Sequence, residues 1–145
     1  MNGIHKVYRK TDGKSKPDEV TEYVVTIPGK PKGKQRPRLG RNNMAFTPKE
    51  TRDYETKIAK AGAKVIHEPF TERGVTVTVE CYFSNKVHSD IDNVIKSAMD
   101  GLNGIAYEDD RLVDELHGYI FYCEKGEERL VIKISGATPD ITEGF

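Results

Sequence analysis

Residues 88–96 read His-Ser-Asp-Ile-Asp-Asn-Val-Ile-Lys, and residues 107–110 read Tyr-Glu-Asp-Asp. Four aspartates, a glutamate and a lysine within so short a span make a donor set with a definite chemistry. Carboxylate oxygens suit a hard divalent cation, and an ammonium offsets charge on phosphoryl oxygens. Ile91, Val94, Ile95, Ala98, Met99 and Leu102 recur at helical spacing, one apolar face of a helix about three turns long. Asp92 and Lys96 are four apart, so they stack along the border of that face. Asp90 falls at the helix start beside Asp92. Gly101 and Gly104 weaken the far end and suit a turn, after which Glu108, Asp109 and Asp110 arrive before the next strand.

Each piece also has an ordinary explanation. Ser89 and Asp92 have the spacing of a capping box, and acids in a first turn complement the helix dipole. Asp92 with Lys96 could be a surface ion pair of small energetic consequence. The acidic turn could simply be solvated. A second segment shifts the balance. Residues 30–41 hold Lys30, Lys32, Lys34, Arg36, Arg38 and Arg41 without a single acid, interrupted by prolines and glycines. An irregular loop of this kind can lay cations along a phosphate backbone, and arginine suits bidentate phosphate contact. Elsewhere it would be a flexible solvated loop. Here 23 basic and 23 acidic residues cancel over the whole chain, so the charges are segregated, which favours a polyanionic partner.

The elements that must position these groups are legible in outline. Residues 21–27 (TEYVVTI) are β-branched and aromatic, a strand ended by Pro28-Gly29. Thr47 as N-cap, Pro48 as first helical residue and Glu50 closing a capping box start a helix over residues 48–67, with Tyr54, Ile58, Ala61 and Val65 on its apolar side. Lys49, Lys57, Lys60 and Lys64 form a basic stripe on another side, a solvated face or an extension of the phosphate-binding surface. Residues 75–83 alternate cleanly, with Val75, Val77, Val79, Cys81 and Phe83 inward. Glu80 is on the open face. Residues 112–123 and 129–135 read as strands joined by a short loop, in the manner of a hairpin. The order is β-α-β-α-β-β. That predicts an α+β fold: a two-layer α/β sandwich whose mixed sheet is covered by two helices. Residues 1–20 read as a mobile arm or a short ordered piece tied to a partner. Residues 21–136 read as a single domain, and residues 137–145 as a tail.

The 145 residues fit one domain with one core. No run is apolar enough for a membrane span or a signal peptide, so the expected location is the cytoplasm. Cys81 and Cys123 lie in strand patterns and read as reduced thiols. His5, His67, His88 and His117 are too scattered for zinc.

Three stretches together resemble the RusA family of crossover (Holliday) junction endodeoxyribonucleases, common in phages and prophages. One is residues 27–31 with residues 34–38 and then Thr47-Pro48. The second is Asp90-Ile91-Asp92-Asn93 with Lys96 and Asp100-Gly101-Leu102-Asn103-Gly104. The third is Asp109-Asp110 followed by Val113. They span residues 21–135. Many relatives carry Gln where Leu112 stands, and often Ala in place of Gly101. The resemblance implies that Asp90, Asp92 and Asp110, with Asp109 as a neighbouring candidate, hold Mg2+, for which Mn2+ would substitute. It implies that Lys96 is the catalytic lysine and that the protein is a homodimer cutting four-way DNA junctions in a bacterial host. Two other readings remain: a non-catalytic binder of branched DNA, and a metal-dependent nuclease acting on forks or flaps. A phosphate-cradling P-loop, a dinucleotide fingerprint and a nucleophile-base pair are all missing from the sequence, which disfavours a small-molecule enzyme.

Overall fold

The computed structural model describes residues 3–9 and 18–137. Strands β1 (Gly3–Arg9) and β2 (Asp18–Pro28) precede a basic loop that carries a miniature pair, β3 (Arg38–Leu39) and β4 (Ala45–Phe46). Helix α1 (Lys49–Val65), strand β5 (Val75–Phe83), helix α2 (Ile91–Leu102) and strands β6 (Val113–Tyr122) and β7 (Arg129–Ala137) follow. The main sheet has five strands in the order β1-β2-β7-β5-β6. Only β5 and β6 run parallel; the other neighbours are antiparallel.

Both helices cover one face, as the α+β sandwich requires. Tyr23, Val25 and Ile27 of β2, the five inward residues of β5, and Leu130, Ile132 and Ile134 of β7 form one cluster. Tyr54, Ile58 and Val65 of α1 and Val94, Ala98 and Leu102 of α2 close it from above. The two helices approach closely because small residues face large ones. A Cβ on Gly101 would lie 2.8 Å from Ile58, and one on Gly62 would lie 2.6 Å from Leu102. That contact gives a packing reason for glycine at position 101.

Three expectations are corrected. First, β6 and β7 are not a hairpin: they flank β5 on opposite sides. Leu130, Ile132 and Ile134 are fully buried and need neighbours on both sides, whereas most of β6 is exposed and suits an edge. The short loop between them therefore spans the end of β5, where the Cys123 N–H donates to the Phe83 carbonyl (2.9 Å). Second, Gly3–Arg9, assigned to the arm by sequence, pairs with β2 as an edge strand. Third, α1 begins one residue later than expected. Pro48 is its N-cap with no side-chain cap, so Thr47 and Glu50 do not form a capping box. The expected tail from residue 138 onward lies outside the described residues.

Candidate nucleic-acid interface and acidic centre

Strand β5 feeds α2 through residues 84–90, so the start of α2 sits at the carboxyl end of β5, where open α/β sheets place their ligands. Asp90 is the N-cap residue of α2, yet its side chain makes no capping hydrogen bond. Ser89 does not cap either; its hydroxyl accepts the Gly33 N–H at 3.1 Å. The capping-box explanation for Ser89 and Asp92 thus fails. Asp92 and Lys96 are exposed, and among the described residues neither they nor Asp90 makes an ion pair. The surface-ion-pair explanation fails with it. Two carboxylates and an ammonium are held at the N-cap and on the first turns of α2, with no ion-pair partner among the described residues.

Facing them is the basic loop, which is docked rather than flexible. Its backbone is fixed by Lys34 N–H to the Asn93 carbonyl (2.9 Å) and by Gln35 N–H to Thr51 Oγ1 (3.1 Å). Lys30 Nζ donates to the Val87 carbonyl at 2.9 Å. Gly33 makes the docking possible: a Cβ there would lie 2.8 Å from Ser89 Cβ and 2.9 Å from Asn93 Cβ. The result is an open cleft of about 900 Å³ lined by residues 33–38 on one side and by His88, Ser89, Asp90, Asp92, Asn93 and Lys96 on the other.

Not all six loop cations serve this cleft alike. The Lys34 ammonium donates to the Asp100 carboxylate and lies 3.5 Å from Glu55, and the hydrogen bond to Asp100 holds its pKa above the usual lysine range. Lys34 is thereby a strut between the loop and both helices. Arg36 and Arg38 line the cleft with no carboxylate partner among the described residues. Lys30 and Lys32 line an adjoining hollow, and Arg41 sits in the turn between β3 and β4. Glu80 is remote from the cleft, paired on the open sheet face with Lys133 at 3.2 Å.

Asp109 and Asp110 lie elsewhere. They begin the short helical turn Asp110–Leu112 that leads into β6, at the opposite end of α2 from Asp90. Val113, just after that turn, pairs with Val75 at the start of β5, whereas Asp90 follows Phe83 at the far end of that strand, so one protomer does not gather Asp110 with Asp90 and Asp92. Among the described residues no three carboxylate, imidazole or thiol groups gather closely enough to hold a metal ion. Asp109 and Asp110 interact with each other. The Arg111 N–H donates to Asp109 Oδ1 (3.0 Å) and holds that carboxyl below its usual range. Asp110 is pushed upward, first by its hydrogen bond with Asp109, then by desolvation and by the charges of Asp109 and Asp100.

Sequence reasoning missed the residues that build the cleft without lining it chemically. Asp100 continues the Asp92–Lys96 stripe by one more turn, a visible signal. Glu55 and Thr51 gave none, because their approach to the loop depends on how α1 packs. His88 stacks on buried Phe83 with ring centroids 3.9 Å apart, and its Nε2 meets the Tyr122 hydroxyl at 3.0 Å. It ties residues 84–90 to the end of β6.

A family model described as Endodeoxyribonuclease RusA matches residues 28–135. The chain belongs to the RusA family. The matched span includes the basic loop, both helices and the acidic turn, and it leaves β1 and nearly all of β2 outside. Membership makes the chain an endonuclease of a family that resolves DNA junctions. No curated protein matches the chain. Among the described residues no helix is long and apolar enough to cross a membrane.

Proposed function

We propose that this RusA-family chain is a Mg2+-dependent, structure-selective endodeoxyribonuclease that resolves four-way junctions by paired, symmetric nicks as a homodimer. The observation that carries the reading is the cleft itself, lined by Asp90, Asp92 and Lys96 together with Arg36 and Arg38, none of which has an ion-pair partner among the described residues.

The donor chemistry fits the cation. Mg2+ is commonly held by one or two carboxylates plus water and substrate phosphate, and Asp90 and Asp92 provide two. When bound, such an ion supplies charge neutralisation at the scissile phosphate and a more acidic attacking water. Lys96 neutralises charge that develops on the phosphoryl oxygens or orients the water, while Arg36 and Arg38 hold the flanking backbone. In-line attack leaves a 5′-phosphate and a 3′-hydroxyl, so the nicks are ligatable.

A two-fold dimer accounts for Asp110. An axis passing near the middle of α2 brings the partner's acidic turn to the Asp90 end of each helix, twice. The surface on that side favours self-association. Strand β6 is an open edge among the described residues; its exposed Leu116 and Tyr122 lie on the α2 side with Gly118, and its exposed Tyr119 and Phe121 on the other face, where Phe121 stacks on Tyr82. Ile91 and Ile95 lie beside it, half-buried against Gly118. An exposed apolar edge strand is a template for pairing. Two matched sites suit a substrate with near two-fold symmetry.

The test is cleavage of a labelled synthetic four-way junction in Mg2+, beside a linear duplex and a fork. Wild type should nick the junction symmetrically, and Asp92→Asn should bind it without cutting. Normal cutting by Asp92→Asn would place the chemistry elsewhere. Binding without nicking by the wild type would favour a DNA-binding module, and faster cutting of the fork would reassign the substrate.

A further inference from the structure

The part of the basic loop beyond the cleft has a construction that phosphate binding does not require. Residues 38–46 fold back as β3 and β4, joined by a turn in which Asn42 (φ 67°) and Asn43 (φ 56°) adopt the left-handed conformation and the Gly40 N–H donates to the Met44 carbonyl (2.9 Å). Asparagine tolerates that conformation better than most residues, so the turn is locally specified. The excursion contributes nothing to the core. Both strands are exposed, and Leu39 and Met44 are each 71 % exposed while Phe46 is 47 % exposed. Three large apolar side chains thus project into solvent from a specified turn. Arg36, Arg38 and Arg41 flank and interleave with them along the chain, and no acid occurs between residues 30 and 49. The base of the excursion, Arg36-Pro37-Arg38, is also one wall of the cleft that holds Asp90 and Asp92.

Apolar side chains interleaved with arginines along the chain and continuous with a basic-walled cleft match the chemistry of bases still attached to their backbone. Proteins that kink nucleic acid insert Leu, Met or Phe between base steps and hold the neighbouring phosphates with cations. A branch point is where the stack is already interrupted, so insertion there costs least. We infer that the β3–β4 hairpin is a wedge whose Leu39, Met44 and Phe46 enter the interrupted base stack at the branch point of a DNA junction. The wedge sets the strand next to the branch against Asp90 and Asp92, and it makes branched DNA preferred over linear duplex. This rests on the junction-cleaving reading for its substrate, but its readout does not depend on cleavage.

The experiment uses the full chain in chelator, so that no strand is cut, and a four-way junction carrying 2-aminopurine at the branch point. Wild type is compared with Leu39→Ser/Met44→Ser/Phe46→Ser. The three side chains bury little, so an unchanged melting temperature is expected and checks the fold. Wild type should raise the fluorescence severalfold, and the variant should not. Junction affinity should fall about tenfold or more in the variant while duplex affinity stays within about twofold. Equal fluorescence from the two proteins, or an equal loss of duplex affinity, would overturn the wedge. A shift of the variant from dimer to monomer in light scattering would also overturn it, because the patch would then be a self-association surface. Cleavage separates the two readings. A wild type that never cuts but still raises the signal through these side chains would sink the nuclease and keep the wedge. A variant that cuts the junction at the wild-type rate with unchanged fluorescence would do the reverse.

Discussion

Gly33→Ala is a small change with a large expected effect on turnover. The new methyl would meet Ser89 Cβ at 2.8 Å, Asn93 Cβ at 2.9 Å and Ser89 Oγ at 3.0 Å. Carbon atoms in contact prefer separations of about 3.5–4.0 Å, so the loop must withdraw by roughly 1 Å from the start of α2. Ser89 and Asn93 cannot yield by rotation, because their Cβ atoms are fixed to the backbone that carries Asp90 and Asp92. Withdrawal stretches the Gly33 N–H to Ser89 Oγ bond (3.1 Å) and the Lys34 N–H to Asn93 carbonyl bond (2.9 Å). Each bond is worth about 0.5–1.5 kcal/mol net, so docking of the loop weakens by about 1–3 kcal/mol. The core is untouched, since the cluster of buried strand and helix residues does not include the loop. The catalytic consequence is larger than the thermodynamic one. Arg36 and Arg38 move relative to Asp90 and Asp92, and a misplacement on the order of 1 Å can cost about a hundredfold in rate. Turnover of a labelled junction at saturating substrate should therefore fall about 10- to 100-fold while the melting temperature drops only a few degrees. Wild-type turnover in Gly33→Ala would refute the claim that close docking of this loop sets the geometry of the cleft.

The divided roles of the loop cations predict different salt behaviour. Arg38→Ala should lower the slope of log affinity against log salt by about one, whereas Lys34→Met should leave the slope nearly unchanged and instead lower the melting temperature, since Asp100 and Glu55 lose their shared partner; equal slopes for the two variants would remove the distinction. Gly101→Ala gains up to about 1 kcal/mol of helix propensity but overpacks Ile58 and the Glu55 carbonyl at a cost of about 1–3 kcal/mol, so denaturant melts should show net destabilisation. The Cys81 thiol is pushed up to about 12 by burial, so thiolate appears only as pH rises toward that value. At pH 8 a thiol reagent should label Cys123 in the native protein and reach Cys81 only on unfolding; rapid labelling of both would contradict the packing of β5.

The central βαβ unit was legible because its signals are local and redundant. The alternation of residues 75–83 and the apolar spacing from Ile91 to Leu102 each specify one face, and a slip in either would bury charge. The edge position of β6 was less accessible. Its sequence and that of β7 both read as strands, and a short loop between two strands favours a hairpin. What decides the matter is the full burial of Leu130, Ile132 and Ile134, a property of the assembled sheet. The site divided along the same line. That Asp90, Asp92, Lys96 and the basic loop are candidates, which the structure brings to one cleft, could be read from spacing and charge. The separation of Asp110 from Asp90 could not, because nearness in sequence across a helix and a turn conceals that the two flank opposite ends of β5. The engagement of Lys34 by Asp100 and Glu55 was equally invisible, since it depends on the crossing of two helices.

The placement of Asp90 and Asp110 at opposite ends of β5 has a genetic consequence. On the two-fold reading, each polypeptide encodes the Asp90 half of one centre and the Asp110 half of the other. A lesion at Asp110 then harms the neighbour's chemistry and spares the chain's own aspartate pair. Chains defective at opposite ends of α2 complement each other when mixed, regaining one working centre and leaving the second doubly broken. A heterozygous population would therefore hold single-nicking molecules, able to relax a junction on one strand but never to part it.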